Sequence, residues 1–274
     1  MILPDHDLAW RLDSFEAKSD ASHAATQAQL YPETGAASLP VAGGYAIYCG
    51  RNSPLNRACG LGMSGPVTPQ DLEALEAFYR EHSVDPHVRI CPHAHASLPL
   101  LLADRGYTIG EFMNVYARPL RDADAGRGYA KELRIRVATP EEARKWFELA
   151  GAAGDWAEPD RVTFMVIRTV LKPGAQLYLA WLDEQPVGGG GLEIHDDVAA
   201  LMAAETLPAY RRRGIHAALV SERLSAAGAA GCDVAMVHTV PGAASRRNVL
   251  RAGFRLLYTT VEARKALAGS PDSP

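Results

Sequence analysis

Three consecutive arginines, Arg211, Arg212 and Arg213, stand directly before Gly214, where a helical pattern begins. The pattern over residues 215–230 consists of apolar residues at helical spacing, namely Ala217, Val220, Leu224 and Ala227. The start of a helix carries partial positive charge on its unpaired N–H groups, so each cation there costs about 0.3–1 kcal/mol. The arrangement becomes favourable once an anion binds to those groups. These residues therefore predict an anion-binding turn at 211–214.

Strands and helices around this turn are predicted from periodicity and turn residues. Residues 1–40 begin with a short helical pattern and then become rich in Ala, Ser, Thr and Gln. The rest of the first half predicts strands at 41–50, 56–63, 87–91 and 107–120, with helices at 69–83 and 95–106. The second half predicts strands at 133–137, 176–182, 186–194, 198–207, 233–240 and 254–263, with helices from 139, at 215–230 and at 243–253.

The ends of the two halves share one order of elements, which predicts a duplication. Each has a helix, a strand, a proline and a serine before a second helix, and a glycine before a last strand. The two halves differ at the start of the corresponding helix. In the first half, Thr68, Pro69 and Asp71 form a helix start that suits the helix dipole. The turn at 211–214 lacks such a cap. Only the second half is therefore predicted to hold an anion.

Composition is that of an ordinary globular protein, with 47% hydrophobic and 22% charged residues and a net charge of −4. A broad attraction to nucleic acid or anionic lipid is not expected, so any basic site is local. The four cysteines form no C-x-x-C pair, and the first residues are acidic where a secretory signal is basic. No apolar run reaches the roughly 18 residues of a membrane span. We expect a cytoplasmic protein without a membrane partner.

Two further motifs compete as binding sites. The glycine run at 188–191 leads into a predicted strand, whereas a phosphate loop opens a helix, so we interpret it as a bulged strand approached closely by another backbone. His87, Cys91, His93 and His95 suggest a metal site, but they straddle a turn and lack a matched second pair. We interpret them as a loop and expect no metal.

The order strand, PAYRRRGIH, helix, strand, helix, GF resembles the GCN5-related N-acetyltransferase (GNAT) superfamily. The signature of that superfamily is Gln or Arg, two residues, Gly, one residue, then Gly or Ala. Arg211 and Gly214 match it, while His216 replaces the small residue. The resemblance covers about residues 133–265, and the first half resembles a degenerate copy.

The resemblance implies an α/β fold of two tandem acetyltransferase-like domains, each with a mixed sheet flanked by helices. We expect a degenerate domain at 1–120, a linker at 121–132, a catalytic domain at 133–265 and a polar tail at 266–274. We further expect a monomer or homodimer.

The resemblance also implies that acetyl-CoA is the cosubstrate. Its pyrophosphate is expected on the turn and helix start formed by Arg211, Arg212, Arg213, Gly214, Ile215 and His216. Its pantetheine arm is expected beside main-chain groups near Glu205, Thr206 and Leu207, with Asn248 hydrogen-bonded to the coenzyme. One of those N–H groups is expected to polarise the thioester carbonyl.

The implied reaction is attack by an amine on acetyl-CoA, which needs a base and an acid. Many relatives use a tyrosine as the acid, but Asn248 occupies that position. Ser245 is the first candidate acid, with helix capping as its alternative role, and Tyr258 is the second, with core packing as its alternative. Glu205 is the first candidate base and Glu193 the second.

The leading function is N-acetyl transfer to a primary amine of a small molecule, peptide or protein. A non-catalytic acyl-CoA sensor is the alternative, because no tyrosine acid is present and the base is unassigned. A nucleic-acid-binding helix that uses the three arginines is a second alternative, which the acidic net charge disfavours.

Overall fold

A computed structural model of the chain describes residues 5–120, 132–150, 160–243 and 245–266. The predicted linker at 121–132 lies outside these residues except for Glu132, and the predicted tail lies outside them except for Ala266. The helices are α1 (His6–Leu30), α2 (Pro69–Glu81), α3 (Ser97–Asp104), α4 (Pro140–Ala150), α5 (Asp160–Val166), α6 (Ile215–Ala229) and α7 (Arg246–Arg251). A π-helical turn, Ile167–Leu171, follows α5 directly.

All strands of the described residues belong to one mixed sheet. Along the chain they are β1 (Ala37–Val41), β2 (Gly44–Tyr48), β3 (Ala58–Cys59), β4 (His87–Ile90), β5 (Thr108–Pro119), β6 (Leu133–Val137), β7 (Ala175–Leu182), β8 (Gln185–His195), β9 (Val198–Thr206), β10 (Val234–Thr239) and β11 (Arg255–Arg264). Their order in space is β1-β2-β3-β4-β11-β5-β10-β9-β8-β7-β6.

The two halves of the chain exchange their last strands. β5, from the first half, pairs with β10 of the second, and β11, from the second half, pairs with β4 of the first. β5 and β11 then pair with each other in antiparallel fashion at the centre of the sheet. Each half therefore completes the sheet of the other.

The predicted fold class is confirmed, since the structure is a mixed sheet flanked by helices. The predicted strands and helices after residue 69 occur at or near their expected positions. The domain boundaries at 120 and 133 stay a prediction, because one continuous sheet joins the two halves.

Three elements of the first half differ from the sequence prediction. The short helical pattern at the start extends through Leu30, where Ala and Gln, both good helix formers, maintain the helix. Strand β1 begins at Ala37, before the predicted strand at 41–50, and forms a tight hairpin with β2 through Ala42 and Gly43. The predicted strand at 56–63 shrinks to the two residues of β3.

Helices cover both faces of the sheet. Successive strand residues point to opposite faces. On β10, Ala235 packs with the core around α6, whereas Val234 and Met236 pack with the apolar face of α1. Helices α1 and α6 thus lie on opposite sides of the same strands.

Candidate active site at the divergence of two strands

Strands β9 and β10 separate after three residue pairs. They pair in parallel from Val198 with Val234 to Ala200 with Met236, and beyond this point β10 makes no further pairs with β9. β9 continues to Thr206 with only its β8 side paired. The divergence leaves one edge of β9 open and connects the two faces of the sheet.

A β-bulge bends β9 within this open segment. Gly189 pairs with Glu205 and Gly191 with Met202, so Ala203 and Ala204 together oppose a single residue of β8. Ala203 has a left-handed backbone with φ of 50°. The bulge interrupts the hydrogen-bond ladder between β8 and β9, so Ala203 and Ala204 do not take part in regular strand pairing.

The glycine run at 188–191 lies on β8, as predicted, and is approached by side chains instead of another backbone. A Cβ at Gly189 would lie 2.6 Å from the Trp146 indole nitrogen, and a Cβ at Gly190 would lie 2.6 Å from the Arg223 guanidinium carbon. Neither distance is tolerated by real side chains. The run therefore admits Trp146 from one face of the sheet and Arg223 from the other.

The first cavity, which we name the outer cavity, has a volume of about 1420 Å³ and lies between the open edge of β9 and the starts of α6 and α7. Nine of the twelve predicted site residues line it: Glu205, Thr206, Arg211, Arg212, Gly214, Ile215, His216, Ser245 and Asn248. The structure therefore brings most of the sequence-predicted site together around one space.

The start of α6 is uncapped, in agreement with the sequence. Gly214 occupies the capping position with a left-handed φ of 80°, and no side chain accepts a hydrogen bond from the first turn. No protein atom lies within 4 Å of the position that a Cβ on Gly214 would take. By contrast, Thr68 and Asp71 form a complete capping box at the start of α2.

Each arginine of the turn has a different environment. Arg211 donates from Nε to the Thr206 carbonyl oxygen at 3.2 Å, and Arg213 stacks over the Tyr210 ring with 5.2 Å between guanidinium carbon and centroid. Arg212 has a left-handed backbone with φ of 64°. Five arginines line the outer cavity against one carboxylate, Glu205, among its described lining residues. This charge suits an anionic ligand.

Three predicted site residues lie outside the outer cavity. Arg213 is held on Tyr210, as described above. The Leu207 N–H already donates to the Val187 carbonyl oxygen at 3.0 Å, so the expectation that this group is available to a ligand does not fit the structure. Tyr258 is buried with Leu8, Phe15 and Cys91, and burial raises the pKa of its phenol well above the ordinary value. The structure therefore does not place Tyr258 with the other candidates.

Ser245 occupies the capping position of α7, but its side chain makes no capping hydrogen bond. Its helical backbone angles, φ −61° and ψ −24°, differ from the extended geometry that a capping serine needs. Ser245 and Asn248 instead line both the outer cavity and a second one. The capping role therefore does not occupy the Ser245 hydroxyl.

The second cavity, which we name the inner cavity, has a volume of about 440 Å³ and opens into the outer cavity. The two share Ala203, Ala204, His216, Ser245 and Asn248 as lining residues. α1 lies on one side of the inner cavity and α6 on the other, because the separation of β9 and β10 leaves a gap through the sheet. The first half of the chain supplies one wall.

Sequence reasoning missed a polar stripe on α1 that borders this wall. Its buried residues are Asp13, Glu16, Ser19, Asp20, His23 and Gln27. Their spacing of three or four residues continues the face begun by Leu8, Leu12 and Phe15. The burial of this helix face could have been predicted from the sequence, because the polar residues continue the helical spacing of the apolar ones.

Glu16 and Asp20 in this stripe pair with arginines from distant segments. Asp20 pairs with Arg57 at 2.9 Å and with Arg168 of the π-helical turn, and Glu16 pairs with Arg57 at 3.2 Å and with Arg89. These cations hold the pKa of both carboxyls below the ordinary range despite burial. Glu16 and Asp20 are therefore ionised at neutral pH.

His238 on β10 also lines the inner cavity. Its Nε2 lies 3.5 Å from a Glu16 carboxylate oxygen. Burial lowers the pKa of His238, and the positive charges of Arg89, Arg57 and Arg168 add to this, against the opposing effect of Glu16. The imidazole is therefore neutral at neutral pH and able to accept a proton.

Glu193, the second candidate base, lies outside both cavities. It is fully buried, pairs with Lys172, and accepts a hydrogen bond from Ser19 at 2.9 Å. Against the opposing effect of burial, the hydrogen bond with His195 and the positive charges of Lys172 and Arg168 lower the pKa of Glu193 to about 2. A carboxylate held in this way is a structural ion-pair partner.

The histidines of the alternative metal motif do not converge. His95 contacts the Ser97 hydroxyl at 3.0 Å, and the His93 ring lies 5.8 Å from the Tyr258 ring. Within the described parts of the chain, no three His, Cys, Asp or Glu side chains form a group that would hold a metal ion. No helix in those parts is long and apolar enough to cross a membrane.

The family model of the Acetyltransferase (GNAT) family matches residues 138–254, which contain the uncapped turn, the bulged strand and α7. Residues 138–254 form a GNAT acetyltransferase domain. No curated protein matches the chain. The matched residues include strands β7 to β10.

Several solved structures are similar to this chain over more residues than the GNAT domain alone. A GCN5-related N-acetyltransferase from Kribbella flavida is 19% identical, with a TM-score of 0.62, covering 91% of this chain and 96% of that one. A GCN5-related N-acetyltransferase from Sphaerobacter thermophilus is 16% identical, with a TM-score of 0.57 and coverage of 84% and 75%. A tandem GNAT protein from the clavulanic acid biosynthesis pathway is 14% identical, with a TM-score of 0.56 and coverage of 81% and 73%. These similarities establish the fold, including its tandem arrangement.

Proposed function

We propose that the protein transfers an acetyl group from acetyl-CoA to a primary amine by direct attack in a ternary complex. The observation that carries the proposal is the uncapped start of α6, which faces a cavity lined by five arginines, four of them within the GNAT domain. Unpaired helix N–H groups and arginines together bind phosphate groups.

The volume of the outer cavity, about 1420 Å³, and the arginines that line it support coenzyme A as its ligand. The N–H groups that begin α6 would bind the pyrophosphate, and the open edge of β9 would pair with the amides of the pantetheine arm. A backbone N–H at the bulge, near Ala203 and Ala204, is placed where the two cavities meet and would polarise the thioester carbonyl. In comparable sites such a donor contributes about 3–4 kcal/mol.

The inner cavity would hold the acceptor amine. We assign the base to His238 instead of Glu205, because His238 lines the inner cavity and is neutral at neutral pH, whereas Glu205 lines only the outer cavity. Ser245, which borders both cavities, would protonate the departing thiolate. No covalent intermediate on the protein is needed, since the amine attacks the thioester directly.

The decisive experiment measures acetyl-CoA binding by calorimetry in the wild type and in Gly214→Asp. We expect binding to be lost, because a carboxylate would face the phosphates at the helix start. Gly231→Asp is the matched control, since Gly231 is also an exposed glycine with a left-handed φ, of 87°, and open space around it. Both variants bear a similar backbone strain of about 1 kcal/mol. Equal affinity of Gly214→Asp and Gly231→Asp would contradict the site.

The sensor alternative predicts binding without turnover. Release of free thiol from acetyl-CoA, measured against a set of amines, separates it from an acetyltransferase, because a sensor releases none. The nucleic-acid alternative predicts binding of DNA or RNA that weakens steeply with salt. Of the three arginines that suggested it, Arg213 is held on Tyr210 and Arg211 on the β9 backbone.

A further inference from the structure

The inner cavity carries more positive than negative charge. Its described lining includes four arginines, Arg57, Arg89, Arg168 and Arg223, and one carboxylate, Glu16. Two further carboxylates, Asp20 and Glu262, pair with these arginines. With Glu16 they bring the number of negative charges to three. Four cations then face three anions, with His238 and His216 both neutral because burial lowers their pKa.

The uncompensated cation is Arg223, which is 1% exposed. It donates from Nη1 to the carbonyl oxygens of Gly191 at 2.9 Å and Met202 at 3.3 Å, and from Nε to that of Leu219. In the described part of the chain it has no carboxylate partner, and burial lowers its pKa to about 10. A buried guanidinium held only by neutral carbonyls is costly unless an anion enters the adjoining cavity.

The neighbouring arginines retain donors of their own. The Nε atoms of Arg57 and Arg89 are buried without an acceptor, as is the Thr239 hydroxyl on the cavity wall. The charged ends of Arg57 and Arg168 are fixed by Asp20, so their positions are set before any ligand arrives. A set of guanidiniums held in fixed positions is well suited to bind a carboxylate or phosphate.

We propose that the acceptor is a small amine that itself carries an acidic group, a carboxylate or a phosphate, bound by the arginines of the inner cavity. This inference rests on the proposed acetyltransferase function. A cavity of about 440 Å³ is within the range of small-molecule sites and accommodates a compact metabolite. In this arrangement the acidic group would lie at the arginines of the inner cavity and the amine near Ser245, which lines both cavities.

The test compares matched acceptors in the wild-type protein. Pairs that differ only in the acidic group are 4-aminobutyrate with 4-aminobutanamide, leucine with leucinamide, and phosphoethanolamine with ethanolamine. Thiol release from acetyl-CoA is expected to show a kcat/KM at least tenfold higher for an acidic member. The first two pairs report on carboxylates and the third on phosphates. Equal or faster turnover of all neutral members overturns the inference while leaving the acetyltransferase function intact.

Absence of thiol release with every amine, together with absence of acetyl-CoA binding, would instead overturn the underlying function. Binding provides a second readout, in which calorimetry in the presence of coenzyme A compares the two members of the best pair. The acidic member is expected to bind at least tenfold more tightly. Equal affinities contradict the inference independently of the rate.

A variant links the preference to named residues. Arg168→Gln combined with Asp20→Asn removes one cation and one carboxylate together. Arg57, which also pairs with Asp20, keeps Glu16 as its partner at 3.2 Å, so no cation is left buried without a carboxylate by the change. We expect KM for the acidic acceptor to rise at least tenfold, with unchanged affinity for acetyl-CoA. An unchanged KM in the folded variant argues against the arginine cluster. If the variant fails to fold, the wild-type comparison alone decides.

Discussion

His238 shows at the scale of one residue how the fold converts an ordinary side chain into a candidate base. Its sequence context, VHTV, predicts only a strand. In the structure, Glu16, Arg57, Arg89 and Arg168 surround it, and its pKa is lowered chiefly by burial. A neutral imidazole beside the amine can take a proton at neutral pH, whereas a protonated one cannot.

The prediction for His238 concerns the pH–rate profile. Since a base with a lowered pKa is neutral above that value, kcat/KM should be constant at neutral pH and fall only below the ordinary histidine pKa of about 6.5. His238→Gln should lower kcat at least tenfold and remove this acidic limb. Glu205→Gln is the comparison variant. If Glu205→Gln loses the acidic limb of the pH–rate profile and His238→Gln keeps it, the base is Glu205 and the assignment to His238 is wrong.

At the scale of elements, α1 connects the two halves through buried ion pairs. Ser19 accepts a hydrogen bond from Lys172, at 2.7 Å, and donates one to Glu193 on β8. Lys172 and Glu193 are both fully buried. The helix therefore contacts the second half through a polar cluster as well as through the apolar residues Leu8, Leu12 and Phe15.

Removing one member of this cluster should destabilise the protein strongly. Glu193→Gln leaves the Lys172 ammonium buried without its carboxylate, and we expect a loss of about 3–5 kcal/mol in the free energy of unfolding. The double variant Lys172→Met with Glu193→Leu removes both charges and should lose less. Urea denaturation of both variants measures the difference. A larger loss in the double variant would show that the ion pair itself is not the source of stability.

For the whole molecule, the exchange of β5 and β11 makes the two halves interdependent. Neither half has a complete sheet alone, because β11 lies between β4 and β5 while β5 lies between β11 and β10. The exchange also brings Arg118 of β5 to the outer cavity and Arg89 of β4 to the inner one. The candidate site therefore depends on both halves.

A single cooperative unfolding transition is expected. Hydrogen exchange followed through urea denaturation should give the same midpoint for β2 in the first half and β8 in the second, because separating the halves breaks the β5–β11 pairing. Two well-separated midpoints would indicate independent domains. Such a result would support the domain boundaries at 120 and 133 that the sequence predicts, and it would contradict the interdependence of the two halves that we infer from the strand exchange.

Features that neighbouring residues determine could be predicted from the sequence, whereas features that depend on residues far apart along the chain could not. The uncapped start of α6, the capping box of α2 and the strand at the glycine run were predicted correctly, because caps and periodicity depend on neighbouring residues. The length of α1 was missed, since its buried face becomes polar after Phe15. Leu207 was placed by resemblance and Tyr258 by its position on the predicted last strand, and neither lines the cavities.

Local sequence is sufficient to recognise the cationic turn at 211–214 and the GNAT domain around it, because the charge, the glycine and the helix start are adjacent along the chain. The inner cavity exists only in the folded chain. Its wall combines Glu16 of α1, Arg57, Arg89, Arg168 and His238, which are far apart in sequence and meet through the strand exchange and the gap between β9 and β10. Their charges acquire a role only once burial weakens solvent screening, which no local pattern encodes.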